Sequence, residues 1–191
     1  MNCPNCGAPM ELFARQRHYF CRHCGTFHFL ENPEVDGVQV LERPAEPRTC
    51  PRCAATLATA MLDNRHVVQH CERCRGVLVP RADFADAVTR RRARATGAPV
   101  TPSPLDPREL DTRMMCPSCG ERMDVHPYYG PGNVVIDNCS RCDLIWLDFG
   151  ELAQITDAPG RDRGQTSHAR EASPSPARSG RLRLSIDDLF G

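Results

Sequence analysis

Cys116-Pro117-Ser118-Cys119-Gly120 opens, and Asn138-Cys139-Ser140-Arg141-Cys142 closes, an interval of 19 residues between two Cys-x-x-Cys pairs. Two such knuckles joined by a β-hairpin can bring four sulfurs to one point. The arrangement occurs twice upstream, with 17 residues separating Cys50/Cys53 from Cys71/Cys74 and 14 separating Cys3/Cys6 from Cys21/Cys24. All 12 cysteines of the 191-residue chain fall into these six pairs. Four thiolates satisfy tetrahedral Zn²⁺ and leave no position open for water or substrate. A unit of roughly 35 residues cannot, through its own core, offset a backbone entropy of about 1–2 kcal/mol per residue. A structural zinc can contribute an apparent ~10–16 kcal/mol. The sequence therefore predicts three structural zinc ions. Cys3, Cys6, Cys21 and Cys24 hold the first, Cys50, Cys53, Cys71 and Cys74 the second, and Cys116, Cys119, Cys139 and Cys142 the third.

Competing chemistry fits less well. A thioredoxin-like motif needs one pair beside a βαβ pattern, and iron–sulfur clusters usually place three cysteines close together. Seven histidines are present, but the cysteines already divide by four, so His23 and His70 are read as surface groups or neighbours of the ligand sulfurs. The start of the chain has no basic, apolar leader, and no stretch is apolar enough to span a membrane, so a soluble, reducing, cytoplasmic setting is expected. Basic side chains number 24, all arginine, against 24 acids. A closed zinc–thiolate quartet adds about two negative charges, so three lower the net charge to about −6 and exclude a globally basic nucleic-acid binder.

The pattern divides the chain into ribbon one (1–40), a spacer (41–49), ribbon two (50–95), a proline-rich spacer (96–113) and ribbon three (114–157). Residues 158–181 contain no Leu, Ile, Val, Met or aromatic residue and are expected to be a disordered linker. Residues 182–191, with Leu184, Ile186, Leu189 and Phe190, resemble a docking peptide. Ribbons two and three align at an offset of 68, Val77-Leu78-Val79 lying over Ile145-Trp146-Leu147. Each reads as strand, knuckle, apolar strand and the start of a helix, that of ribbon two running from about Ala82 to Ala95 with its arginines at the C-terminal end. Gly7, Gly25 and Gly120 follow a second ligand, where positive φ is often needed, but Ala54, Arg75 and Asp143 occupy the corresponding places. The fold class is thus a small metal-stabilised β protein: three tandem four-cysteine ribbons, short helices after the second and third, and a disordered tail.

Cys116-Pro117-Ser118-Cys119-Gly120, Val134-Val135-Ile136-Asp137-Asn138-Cys139 and Ile145-Trp146-Leu147-Asp148-Phe149-Gly150-Glu151-Leu152 together resemble the TFIIB-type zinc-ribbon family. Leu144 stands where that family has glycine. Residues 50–88 resemble it more loosely, with Leu78 in place of Trp, and residues 3–30 resemble a generic zinc ribbon. The resemblance implies the ribbon fold and four-cysteine ligation. Trp146 has two readings: a cover for the hairpin while Glu151 caps a helix, or an exposed contact for a partner. With no phosphate loop, metal-free nucleophile or carboxylate pair in a recognisable pocket, the expectation is a non-catalytic protein-interaction module without a small-molecule substrate. The alternative is nucleic-acid binding through Arg90, Arg91, Arg92 and Arg94.

Overall fold

The computed structural model describes residues 1–14, 18–30, 37–42 and 47–165. The linker from 166 onward and the expected docking residues Leu184, Ile186, Leu189 and Phe190 lie outside the described residues.

Ribbon one forms a three-stranded antiparallel sheet of β1 (Glu11–Phe13), β2 (His18–Phe20) and β3 (Phe27–Phe29). Its interior is aromatic rather than aliphatic: buried His18 stacks on Phe13 at 5.3 Å and meets Phe27 and Phe29 at 5.3 and 5.5 Å. The remaining strands are β4 (Val38–Glu42), β5 (Ala58–Leu62), β6 (His66–His70), β7 (Val77–Pro80), β8 (Asp124–Pro127), β9 (Val135–Cys139) and β10 (Leu144–Leu147). They make one seven-stranded sheet in the order β4-β5-β6-β7-β10-β9-β8. Its central pairing, β7 against β10, places Leu78 opposite Trp146 and Val79 opposite Ile145, so ribbons two and three share a continuous sheet.

Strand alternation sends successive side chains to opposite faces. Val79, Ile145 and Leu147 therefore enter one core with Leu62, Val68 and Ile136, beneath α1 (Arg81–Arg94) and α2 (Glu151–Asp157). Leu78 and Trp146 enter a second cluster on the metal side, with Leu57, Met114, Met123 and the ligand cysteines. Neither ribbon has enough apolar surface for such a core by itself; pairing supplies it.

Three boundaries differ from the sequence reading. The spacer expected at 41–49 begins inside β4, which hydrogen-bonds to β5 and so belongs to the sheet of ribbon two. The spacer at 96–113 is pinned along ribbon three: the Val100 N–H donates to the Asp157 carbonyl at 2.8 Å, and Asn133 Nδ2 to the Ser103 carbonyl at 3.1 Å. Residues 158–165, expected to start a disordered linker, are also placed. Ala158 is buried, and Asp162 receives both arms of the Arg92 guanidinium at 2.6 and 2.7 Å. A charge-pair anchor does what apolar residues could not.

Ribbon one docks on this body through its knuckle and β3. Arg73 donates to the Gly25 carbonyl at 2.9 Å, Arg75 lies 4.0 Å over the Phe29 ring, and Phe29 meets Phe149 edge-on at 4.8 Å.

Candidate metal centres

Each quartet places its four Sγ atoms within 4.8 Å of one another. Individual separations are 3.5 Å for Cys3–Cys24 and Cys6–Cys21, 3.5 Å for Cys50–Cys74, 3.4 Å for Cys53–Cys71 and 3.7 Å for Cys119–Cys139. Sulfurs at ~2.3 Å from a tetrahedral Zn²⁺ lie about 3.8 Å apart, so all three quartets fit that ion closely. Among the described residues no histidine or carboxylate joins any set, and the four sulfurs by themselves complete each tetrahedral shell.

The knuckles build these sites by local backbone bonding. In five of them the residue after the second cysteine donates its N–H to the first cysteine's carbonyl, as in Gly7 to Cys3 at 2.9 Å and Arg75 to Cys71 at 2.7 Å. Closing that turn requires a left-handed residue. Gly7, Gly25 and Gly120 take φ of 75°, 70° and 71°, and the non-glycine residues Ala54, Arg75 and Asp143 take 59°, 59° and 53°. All six knuckles thus place a left-handed residue after the second cysteine, three of them with backbone strain. Further donors face the sulfurs: the Ser118 N–H lies 3.4 Å from Cys116 Sγ, the Cys74 N–H 3.5 Å from Cys71 Sγ, and Thr26 Oγ1 3.1 Å from Cys24 Sγ.

The thiols influence one another strongly. Hydrogen bonds from Cys50 and Cys74 pull Cys71 down to about 2, while Cys74 is pushed far up by its bonds to Cys50 and Cys71. Hydrogen bonding to Thr26 lowers Cys24 to about 5. Four thiols this close cannot all ionise beside one another, and a dication at their centre removes that conflict.

The transcription factor zinc-finger family model matches residues 49–90 and again 115–158. Ribbons two and three are TFIIB-type zinc ribbons. Ribbon one lies outside the match, and its four-cysteine set is the third zinc site. Neither a curated protein nor a solved structure matches the chain.

Within the TFIIB-type pair, the other residues singled out from sequence are placed as follows. Trp146 is wholly buried, donates Nε1–H to Asp148 Oδ1 at 3.0 Å and packs against Gly76, where a Cβ would come within 2.1 Å of its ring. It is therefore a seam residue and not an exposed partner contact. Glu151 Oε2 accepts the Asp148 N–H at 2.8 Å, closing the turn that leads into α2. Burial, then the nearby Asp148 charge, holds its carboxyl well above the usual carboxylate range.

The arginine helix does not present four cations outward. Arg92 is 1% exposed; besides Asp162 it donates to the Ile155 and Ala158 carbonyls at 2.6 and 2.9 Å, capping the C-terminal end of α2. Arg91 grips Asp63 with two bonds of 2.7 Å, and Arg90 pairs with Asp86 at 2.7 Å one turn earlier. Arg94 is exposed. His23 is exposed as expected, but His70 is buried beside Cys71, and burial lowers its pKa. Sequence reading passed over Tyr129, which is 90% exposed at the β8–β9 turn and stacked on His126 at 5.6 Å. The only sequence signal there was the neighbouring Gly130-Pro131-Gly132 turn.

Among the described residues no helix is long and apolar enough to cross a membrane.

Proposed function

We propose that this chain is a non-catalytic adaptor whose three zinc ribbons offer a combined surface to a protein partner in a reducing, cytoplasmic setting. The observation that carries this reading is the use of the α1 arginines. Arg91 and Arg92 are taken by Asp63, Asp162 and helix carbonyls, and Arg90 by Asp86, so among the described residues the helix has one exposed, unshared cation left, Arg94, for a phosphate backbone. The four-sulfur shells support a structural rather than catalytic metal, since no ligand position is left for substrate.

Nucleic-acid binding is the rival. Affinity capture of the intact chain from its native cell, recovering protein and nucleic acid together, separates the two. A stoichiometric protein partner that survives nuclease treatment is expected. Recovery of nucleic acid alone, with affinity falling steeply as salt is raised, would replace the adaptor with the rival.

A further inference from the structure

Ribbons two and three differ at one pair of positions whose consequence faces a cleft. In ribbon two, the residue two before the first ligand is Arg48, and it donates NH1 to Gln69 Oε1 at 3.0 Å. In ribbon three the matching backbone place is Met114: the Met123 N–H bonds its carbonyl at 2.9 Å, as the Leu57 N–H bonds that of Arg48 at 2.9 Å. The position matching Gln69 is Asp137. Ribbon three thus exchanges an amide that has a cationic donor for a carboxyl group whose Oδ1 has none among the described residues. Asp137 is 8% exposed, and its Oδ1 is buried without a hydrogen-bond partner among the described residues.

Asp137 lines a cleft of about 680 Å³ between ribbon one, the Pro51-Arg52 knuckle and the 106–114 segment. Six carboxyl groups and four arginines line it. Those arginines are engaged: Arg52 with Asp148 at 3.0 Å, Arg22 with Glu11 at 2.5 Å, Arg108 with Asp106 at 2.7 Å, and Arg113 with the Leu110 and Thr112 carbonyls. Phe13, Phe20 and Phe27 supply aromatic wall. The carboxylates do not converge enough for a metal ion, because only the cysteine quartets gather three ligand atoms within 4.8 Å among the described residues. A larger, planar cation with an apolar stem suits this mixture of charge and aromatic surface.

We propose that the cleft receives the guanidinium of an arginine presented by a protein partner, with the Asp137 carboxylate as its acceptor, so that the partner supplies in trans what Arg48 supplies in ribbon two. The inference rests on the adaptor reading and adds the chemistry of the contact.

The test is calorimetric titration of the zinc-loaded full chain with acetyl-Gly-Arg-Gly-amide and with the same peptide carrying neutral citrulline. The arginine peptide is expected to bind at least tenfold more tightly. Asp137→Asn and Met114→Arg, the latter placing an internal arginine at the vacant donor position, are each expected to weaken it at least tenfold with three zinc ions retained. If Met114→Arg loses zinc, Asp137→Asn decides alone. Equal binding of both peptides, no binding at millimolar concentration, or undiminished binding by Asp137→Asn would overturn the proposal. Spermidine binding as well as the peptide would also overturn it by assigning the cleft to free polyamines. A captured protein partner held equally by wild type and both variants would leave the adaptor standing and end this inference.

Discussion

Ribbons two and three run through the same order of strands, knuckles and helix, yet they contribute opposite shapes to the seam between them. Ribbon two brings Gly76 and Leu78, a flat, small surface; ribbon three brings Leu144 and Trp146, a projecting one. The helices are equally unequal. α1 has 14 residues and reaches across with Arg92 to satisfy the carbonyl end of α2, which has 7. Neither ribbon is complete alone: ribbon three lacks a partner for its indole and a cap for its helix, and ribbon two lacks a cover for its second metal knuckle. The two ribbons present unlike surfaces that fit each other across the β7–β10 seam.

That asymmetry can be broken from the metal outward. Cys139→Ser opens the third quartet, whose zinc contributes on the order of 10 kcal/mol. Because β10 joins β9 to β7 in the shared sheet, hydrogen exchange should show β7 and β6 losing protection along with β9 and β10. Unfolding confined to ribbon three would show that the halves are independent. Next in size is Arg92→Met, which keeps much of the buried stem and removes the guanidinium that joins α1 to α2 and Asp162. A loss of about 3 kcal/mol in chemical denaturation is expected from several charge-assisted bonds lost together. A change under 1 kcal/mol would return Arg92 to the status of a solvated helix end.

Gly76→Ala tests the indole seat. Its Cβ would lie 2.1 Å from Trp146 Cζ2, so Trp146 fluorescence should shift and stability fall by about 2 kcal/mol. The smallest effect compares one position in two ribbons. Ala54→Gly relieves a left-handed strain of ~1–2 kcal/mol against a glycine entropy cost of ~0.5–1, a net gain of about 0.5 kcal/mol in thermal or denaturant unfolding. Gly120→Ala, whose Cβ meets nothing within 4 Å, should lose a similar amount through φ alone. Equal responses of the same sign would mean that the knuckles are not equivalent.

What was readable from sequence was local. Cysteine spacing gave the three quartets, β-branched runs gave the strands, and the strand–knuckle–strand order shared with ribbon three placed α1 within a residue of its observed start. The partner of an apolar strand is not written in the strand itself, which is why Val77–Val79 announced burial without naming β10 as its neighbour. Arg92 was misread for a similar reason. A run of arginines looks like a charged surface, and the group that buries one of them, Asp162, lies 70 residues away in a stretch with no apolar signal. The repeat offset of 68 lays Asp137 over Gln69, but the spacing does not reveal what bonds to either. Only the fold shows that Gln69 accepts from Arg48 while Asp137 Oδ1 accepts from no described residue.

The β7–β10 register puts Leu78 and Trp146, the same position in each repeat, face to face at the local symmetry axis of the pair. Two copies of ribbon three meeting that way would bring tryptophan against tryptophan, with Leu144 where each indole needs a glycine. Two copies of ribbon two would meet leucine to leucine and leave the indole's volume empty. The mismatched halves therefore prefer the neighbour on their own polypeptide to an identical half on another molecule, a built-in safeguard against strand exchange between chains.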